Sequence, residues 1–378
     1  MKIPILDLKK QIAPIKNEII SAINSVIEKA NFVLGQEIAD FENEVQKYAK
    51  VNYAVAVSNG TDALKLALVA LGIKAGEGVI CPSFTYFASA GAIVSMGGVP
   101  VFADIDGNTF NMEALHIEEA IKKNKKTKIK AVIPVHLYGQ CCDMDAILKV
   151  SRKYKLKVVE DTAQAFGAEF LPAGRQGKGS KAGTMGDCGA ISFFPGKNLG
   201  AFGDAGMVVT NNRSVAERLR VLRNQGNIDR YHHLMVGYNH RMDTIQAAAL
   251  LVKFKYLDLW NKKRQENALY FNECFSGSNI KVPFAAGYST HIYHQYVLRI
   301  KADRDKLIEY LKDKGIGARI YYPIPLHLQK CFKYLGYKKG DFKESEKASG
   351  EVLAIPVYPE LTKEELDYIV VSIKEFRV

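Results

Sequence analysis

Apolar positions recur along this chain in two rhythms. Ile15, Ile19, Ile20, Ile23, Val26 and Ile27 fall at helical spacing within residues 14–30, and a second helical stretch runs from about Gln36 to Ala49, joined to the first by Phe32-Val33-Leu34-Gly35. Short apolar runs then predict strands at Tyr53 to Val57, Gly78 to Pro82, Val99 to Asp104, Ala131 to Val135, Lys157 to Glu160, Ala190 to Phe193 and Met207 to Thr210. Helical segments separate several of them, so the expected architecture is α/β, a mostly parallel sheet with helices on both faces. A long helical pattern follows from Thr244 to Trp260 and leads into another helix through about Phe275. Beyond it lie a strand near Tyr296 to Ile300, a helix from about Arg304 to Lys314, and a final helix opened by the capping-box pattern Thr362-Lys363-Glu364-Glu365. The shift of pattern divides the chain into a large domain, 1–250, and a smaller C-terminal one, 251–378. Leu171 to Gly183 has loop composition and reads as an exposed, mobile loop.

Composition narrows the partners. A length of 378 residues suits about two domains with a sizeable core. The net charge of +12 would suit nucleic acid or a membrane surface, but Lys and Arg are scattered. The densest run, Lys122 to Lys128, reads as a solvated helix end, and a basic surface also suits an anionic nucleotide substrate. Six cysteines, Cys81, Cys141, Cys142, Cys188, Cys274 and Cys331, show neither CxxC spacing nor the density of a disulfide scaffold, and read as reduced, mostly buried thiols. No apolar run is long enough to span a bilayer, and residues 1–7 lack a signal peptide's apolar centre, so the expectation is a cytoplasmic protein with no membrane or nucleic-acid partner. His232, His233, His291 and His294 read as interface or solvent-facing residues, and none shows zinc spacing.

Candidate chemistry centres on the run from Gly189 to Gly200. An apolar strand ends there in a Pro195-Gly196 turn that presents Lys197, and upstream a second strand ends in Asp161. Open α/β sheets bind ligands at the carboxyl ends of their strands, so both groups would face one pocket. An amine able to lose its proton there forms a Schiff base with an aldehyde, pyridoxal 5′-phosphate being the commonest cofactor used that way. Asp161, paired with the pyridine nitrogen, would keep that nitrogen protonated and the ring able to accept electrons. Ser192 lies within reach of the cofactor phosphate. Ser58-Asn59-Gly60-Thr61-Asp62 forms a strand-to-helix turn whose free amides suit an anion, with Gly60 allowing close approach and Thr61 adding its hydroxyl. Alone, these features also fit a surface lysine, an acidic strand end and a capped turn. Phe84 and Tyr86 share one face if their turn is extended, and Tyr86 is favoured to stack on the cofactor ring, with core packing the other reading.

At this point the residues resemble the DegT/DnrJ/StrS family of pyridoxal-phosphate sugar aminotransferases over almost the whole chain. The likeness is carried by seven segments in order: Asn59 to Leu64, Pro82 to Tyr86, Pro134 to Gln140, Glu160 to Gln164, Ser192 to Gly200, Gly237 to Asp243 and Tyr322 to His327. It implies the aspartate-aminotransferase fold, L-glutamate as amino donor with 2-oxoglutarate as its product, and a homodimer with shared active sites. By that likeness Lys197 is the Schiff-base lysine and proton carrier, Asp161 the ring-nitrogen partner and Gln164 a contact on the ring-hydroxyl side. Gly60, Thr61 and Ser192 match phosphate-site positions, and Asn239 matches the phosphate ligand given by the other subunit. Related 3-dehydratases resemble the family but carry histidine in place of the lysine, so Lys197 argues for transamination.

Lys197 to Gly206 looks like the subgroup that aminates C3 of nucleotide-linked 3-keto sugars, whereas C4 enzymes more often show Gly-Glu-Gly-Gly there. Tyr231-His232-His233, Asp243 to Ala248 and Pro323 to Gln329 look most like enzymes acting on UDP-linked 3-keto hexuronates in surface-polysaccharide synthesis. Phe32, Arg241, Tyr321 and Tyr322 match substrate-contacting positions of that group, and His327 is placed with them; Arg241 suits a carboxylate or phosphate. That group has histidine where this chain has Tyr321, so a dTDP-linked 3-keto-6-deoxyhexose stands as the alternative. The stretch from Leu171 to Gly183 is longer than the family usually has. A non-catalytic regulator on the same fold would lose the chemistry, which the joint presence of Lys197, Asp161 and Asn239 disfavours. A nicotinamide-dependent oxidoreductase would need a Gly-x-Gly-x-x-Gly turn after an early strand, and none is present.

Overall fold

Seven of the apolar runs assemble into one sheet. In the computed structural model, which describes residues 1–172 and 179–376, these are β1 (Tyr53–Val57), β2 (Gly78–Pro82), β3 (Val99–Ala103), β4 (Ile129–Val132), β5 (Lys157–Asp161), β8 (Cys188–Ser192) and β9 (Gly206–Thr210). Between them fall the two-residue partners β6 (Glu169–Phe170) and β7 (Ser180–Lys181). The sheet order is β1-β9-β8-β5-β4-β2-β3, and β9 alone runs antiparallel to its neighbours. The sheet is therefore mostly parallel, and both its faces are covered. Along β1, Val55 and Val57 enter one core while Ala54 and Ala56 enter another, as the two-residue strand period requires.

β5 and β8 are parallel neighbours with Asp161 opposite Ala190, so their carboxyl ends open on the same edge of the sheet. Expected strand 131–135 ends early, at Val132, because Pro134 has no N–H to give the ladder. The backbone stays extended there. The Asp161 N–H donates to the Pro134 carbonyl at 2.9 Å, and the His136 N–H donates to the Asp161 carbonyl at 3.1 Å.

The expected helix from Thr244 to Trp260 is instead two helices, Thr244–Phe254 and Leu257–Phe275, broken at Lys255-Tyr256. Neither Gly nor Pro marks the break, and the apolar spacing runs through it. After these helices β10 (Tyr296–Arg299) pairs antiparallel with β11 (Val352–Ile355), and Phe271, Tyr296, Leu311 and Ile369 share a separate core. Ile3 belongs to that core too: its N–H donates to the Gly315 carbonyl at 2.9 Å and its carbonyl accepts from Gly317 at 2.7 Å. The Thr362/Glu365 capping box forms and starts the helix Lys363–Glu375.

Residues 173–178 of the loop expected over 171–183 lie outside the described residues; its flanks close as the β6/β7 pair. His291 is buried, against the expectation of an interface or solvent-facing residue, as is the ring of His294, whereas His232 and His233 are exposed. Lys122 and Lys123 end the helix Ala114–Lys123 in solvent. Among the described residues no helix is long and apolar enough to cross a membrane, and no group of three or more His, Cys, Asp or Glu could hold a metal.

Candidate active site

A cavity of about 660 Å³ opens at the carboxyl ends of β5 and β8. Gly60, Thr61, Tyr86, Asp161, Gln164, Ser192, Lys197, Tyr321 and Tyr322 all line it. The convergence follows from topology: Lys197 and Asp161 leave adjacent parallel strands at the same edge.

The Lys197 N–H closes a turn onto the Phe194 carbonyl at 2.8 Å, and the side chain enters the cavity. Burial pushes its amine down to about 8, partly opposed by the negative charge of Asp161. Asp161 is 5% exposed. Burial raises its carboxyl above the ordinary value, while hydrogen bonds from Ser89 Oγ at 2.8 Å and the Ala163 N–H at 3.2 Å and the charge of Lys197 pull the other way. Two opposite charges thus share one poorly solvated space.

Beneath Asp161, Glu160 is wholly buried and ties the strand end to the following loop. Its carboxylate accepts N–H groups from Gly183 at 2.9 Å, Met185 at 2.7 Å and Gly186 at 2.6 Å. His136 Nδ1 accepts the Cys142 N–H at 3.1 Å, so the ring proton sits on Nε2 and donates to Glu160 at 2.8 Å. Glu160→Ala would orphan three backbone donors around the imidazole and is expected to lower stability by about 3 kcal/mol or more, read by chemical denaturation.

The helix Gly60–Ala70 points its first turn at the cavity. Asn59 caps it by accepting the Asp62 N–H at 2.8 Å, leaving the amides of Gly60 and Thr61 free to face an anion. The approach is close. A Cβ on Gly60 would lie 2.6 Å from Ser192 Cβ, and one on Gly206 would lie 2.4 Å from the Asn59 carbonyl. Glycine at both positions lets strand and helix terminus meet, with Ser192 Oγ beside them.

On the other wall, Gln164 accepts the Tyr138 N–H at 2.8 Å and donates to Tyr322 Oη at 2.8 Å. Phe84 is buried in the core and Tyr86 is 59% exposed, and both rings approach that of Tyr322, at 6.1 and 6.0 Å.

Four expected residues lie elsewhere. Asn239 and Phe32 are exposed, and Arg241 donates to Asn224 Oδ1 at 2.9 Å. Asn224 also bridges to Asn239, and Val33 bridges to Asp243, so the three form one surface outside this chain's cavity. His327 is a correction. Its ring is buried, with Nδ1 2.6 Å from Ser83 Oγ and Nε2 3.1 Å from Glu346, so it anchors the segment after Tyr322 and has no nitrogen left for a substrate.

A model of the DegT/DnrJ/EryC1/StrS aminotransferase family matches residues 13–374. The chain belongs to that family. It is accordingly a pyridoxal-phosphate-dependent sugar aminotransferase. Relatives include a Geobacillus stearothermophilus protein called a pleiotropic regulatory protein, 41% identical over 100% of this chain and 99% of that one. An Acidithiobacillus ferrooxidans protein named as a UDP-N-acetyl-3-dehydro-alpha-D-glucosamine 3-aminotransferase is 40% identical, covering 98% and 97%. An Aneurinibacillus thermoaerophilus dTDP-3-amino-3,6-dideoxy-alpha-D-galactopyranose transaminase is 41% identical, covering 99% of each. Among solved structures, S. venezuelae DesV superposes with a TM-score of 0.94 at 36% identity, covering 100% and 98%.

The residues fit the family's cofactor on their own geometry: a glycine-walled helix terminus for a phosphate, a buried carboxylate for a ring nitrogen and an amine without a salt bridge among the described residues for an aldehyde. Other lining groups gave no such signal in the sequence. Arg264 and His294 reach the cavity from segments far along the chain, and Ser89 supports Asp161 from a helix whose sequence is unremarked apolar.

Proposed function

We propose that this aminotransferase moves the amino group of L-glutamate to the C3 keto group of a nucleotide-linked sugar. The observation that carries the chemistry is the convergence of Lys197, Asp161 and a helix N-terminus on one cavity. When bound, pyridoxal 5′-phosphate supplies an aldehyde for the amine and an electron-accepting ring. Lys197 then holds and releases a proton at Nζ, and the lowered proton affinity of that amine keeps a neutral fraction at working pH. Asp161 keeps a negative charge where the ring nitrogen lies. Gly60 and Thr61 offer amides to the phosphate, with Ser192 beside them, and Tyr86 and Gln164 border the ring.

Support for C3 comes from the segment Lys197 to Gly206 and from two relatives named for amination or amino groups at that carbon. A UDP-linked 3-keto hexuronate, feeding a surface polysaccharide, is the favoured substrate. Arg241 suits its carboxylate, while Tyr321 in place of histidine and a 41%-identical relative named for a dTDP-linked sugar favour a 6-deoxyhexose as the second reading. A relative bears a regulatory name, yet the intact amine, carboxylate and cavity support catalysis here. Residues 1–250 are proposed as the cofactor-binding domain and 251–378 as the smaller one. The proposed setting is the cytoplasm.

The proposed working unit is a homodimer. Asn239, Arg241 and Phe32 face away from their own cavity on a surface that also exposes Tyr231, Leu234 and Val236, an apolar patch suited to a second copy. Mixing inactive Lys197→Ala and Asn239→Ala proteins under subunit exchange is expected to restore about a quarter of the native activity, since half the dimers become hybrids with one intact site. No recovery despite proven exchange would sink the shared-site proposal. Substrate is read from the reverse reaction: 2-oxoglutarate with UDP- and dTDP-linked 3-amino and 4-amino sugars. Consumption of 4-amino sugars alone would overturn the C3 assignment.

A further inference from the structure

The cavity that holds Lys197 is also lined by Ile5, Leu6, Ile355 and Val357, with Gln295 and Arg264 among its polar groups. Arg264, on the helix Leu257–Phe275, is 3% exposed. Among the described residues its only hydrogen bonds are long ones, from Nη1 to the carbonyls of Tyr293 and His294, each 3.4 Å, and Nε has no partner there. No ion pair holds the guanidinium among the described residues. Glu360 is near enough to act on it by charge but makes no hydrogen bond with it, and Gln295 Oε1 is likewise unpartnered. A buried cation so poorly satisfied is unfavourable unless something else completes its shell.

We infer that Arg264 is a carboxylate-binding residue of this cavity and takes a carboxylate of the amino donor. The inference rests on the proposed transaminase reading and assigns the donor's place within it. Lys197, Arg264 and His294 line the same cavity, and both cations act by charge on the His294 ring. An amino acid meeting Lys197 with its nitrogen carries its α-carboxylate two bonds away. Planar guanidinium donors match that group, and the aliphatic walls strengthen the pairing by excluding water. A nucleotide-linked sugar is far bulkier and meets the open mouth at Tyr86 and Phe194, both more than half exposed.

The test compares half-reactions in cofactor-loaded wild type, R264Q and R264K, following the cofactor's absorbance. With L-glutamate, R264Q should lose about 10²-fold in second-order rate, with R264K between the two. The loss with a nucleotide-linked amino sugar should be at least about 30-fold smaller. Calorimetric titration with maleate, a dicarboxylate without an amine, should show R264Q binding at least about 30-fold more weakly than wild type. Equal losses in both half-reactions, a loss confined to the amino sugar (which would assign the guanidinium to a sugar carboxylate), or unchanged maleate binding would overturn the inference. Should R264Q unfold, R264K carries the same comparison. Failure of wild type itself to respond to glutamate would instead count against the transaminase reading.

Discussion

Lys197→Ala is expected to lower turnover by at least about 10⁴-fold without unfolding the protein. One amine is proposed both to hold the aldehyde and to carry the proton, and among the described residues no other lysine lines the cavity. Burial has lowered its proton affinity to about 8, so in the cofactor-free protein the folded state disfavours the charged form. That term opposes folding below about pH 8, where the amine is charged in both states, and fades as pH rises to the ordinary lysine range, where the unfolded chain also loses its proton. Cofactor-free Lys197→Met should therefore melt higher than wild type at pH 7 and lose that advantage at high pH. Cofactor uptake by wild type should quicken as pH rises through about 8, because only the neutral amine attacks an aldehyde. Retention of activity within about 10²-fold in Lys197→Ala would end the assignment.

Asp161→Asn is expected to keep the cofactor, and hence the yellow colour, while lowering turnover by about 10³-fold, because an amide cannot hold a proton on the pyridine nitrogen. Its effect on stability should change sign with loading. In the cofactor-free protein burial raises the carboxyl's pKa, so stability is lost as pH rises from the ordinary aspartate value through the raised one. Asparagine escapes that loss, and the empty variant should melt above wild type at neutral pH. With cofactor bound, the carboxylate gains a cationic partner and wild type should melt higher. Thermal scans of both proteins, empty and loaded, at pH 5 and pH 7 check the crossover; a fixed order in all four conditions would contradict it.

The facing of Lys197 and Asp161 was legible because it needs only local facts: two apolar runs, each ending in a polar group, and the rule that parallel strands open their carboxyl ends on one edge. The helix terminus at Gly60 was legible for the same reason. Arg264 was not, since a buried cation looks like any helical arginine until the fold sets it in one cavity with residues from β11 and with Ile5 and Leu6. His327 misled because a family-like segment says which residue is present, not whether its nitrogens are already engaged by Ser83 and Glu346. The break at Lys255-Tyr256 left no trace, as both helices keep one apolar rhythm across it.

The seating of Ile3 between Gly315 and Gly317 bears on how the molecule is made. During translation residue 3 precedes this partner by roughly 300 residues, which at ordinary ribosomal speeds is a wait of about 15 to 60 seconds. Until then nothing at 315–317 holds Ile3, two residues before Ile5 and Leu6 of the cavity lining, so a nascent chain arrested before residue 315 should carry the lysine and aspartate with that part of the wall unanchored.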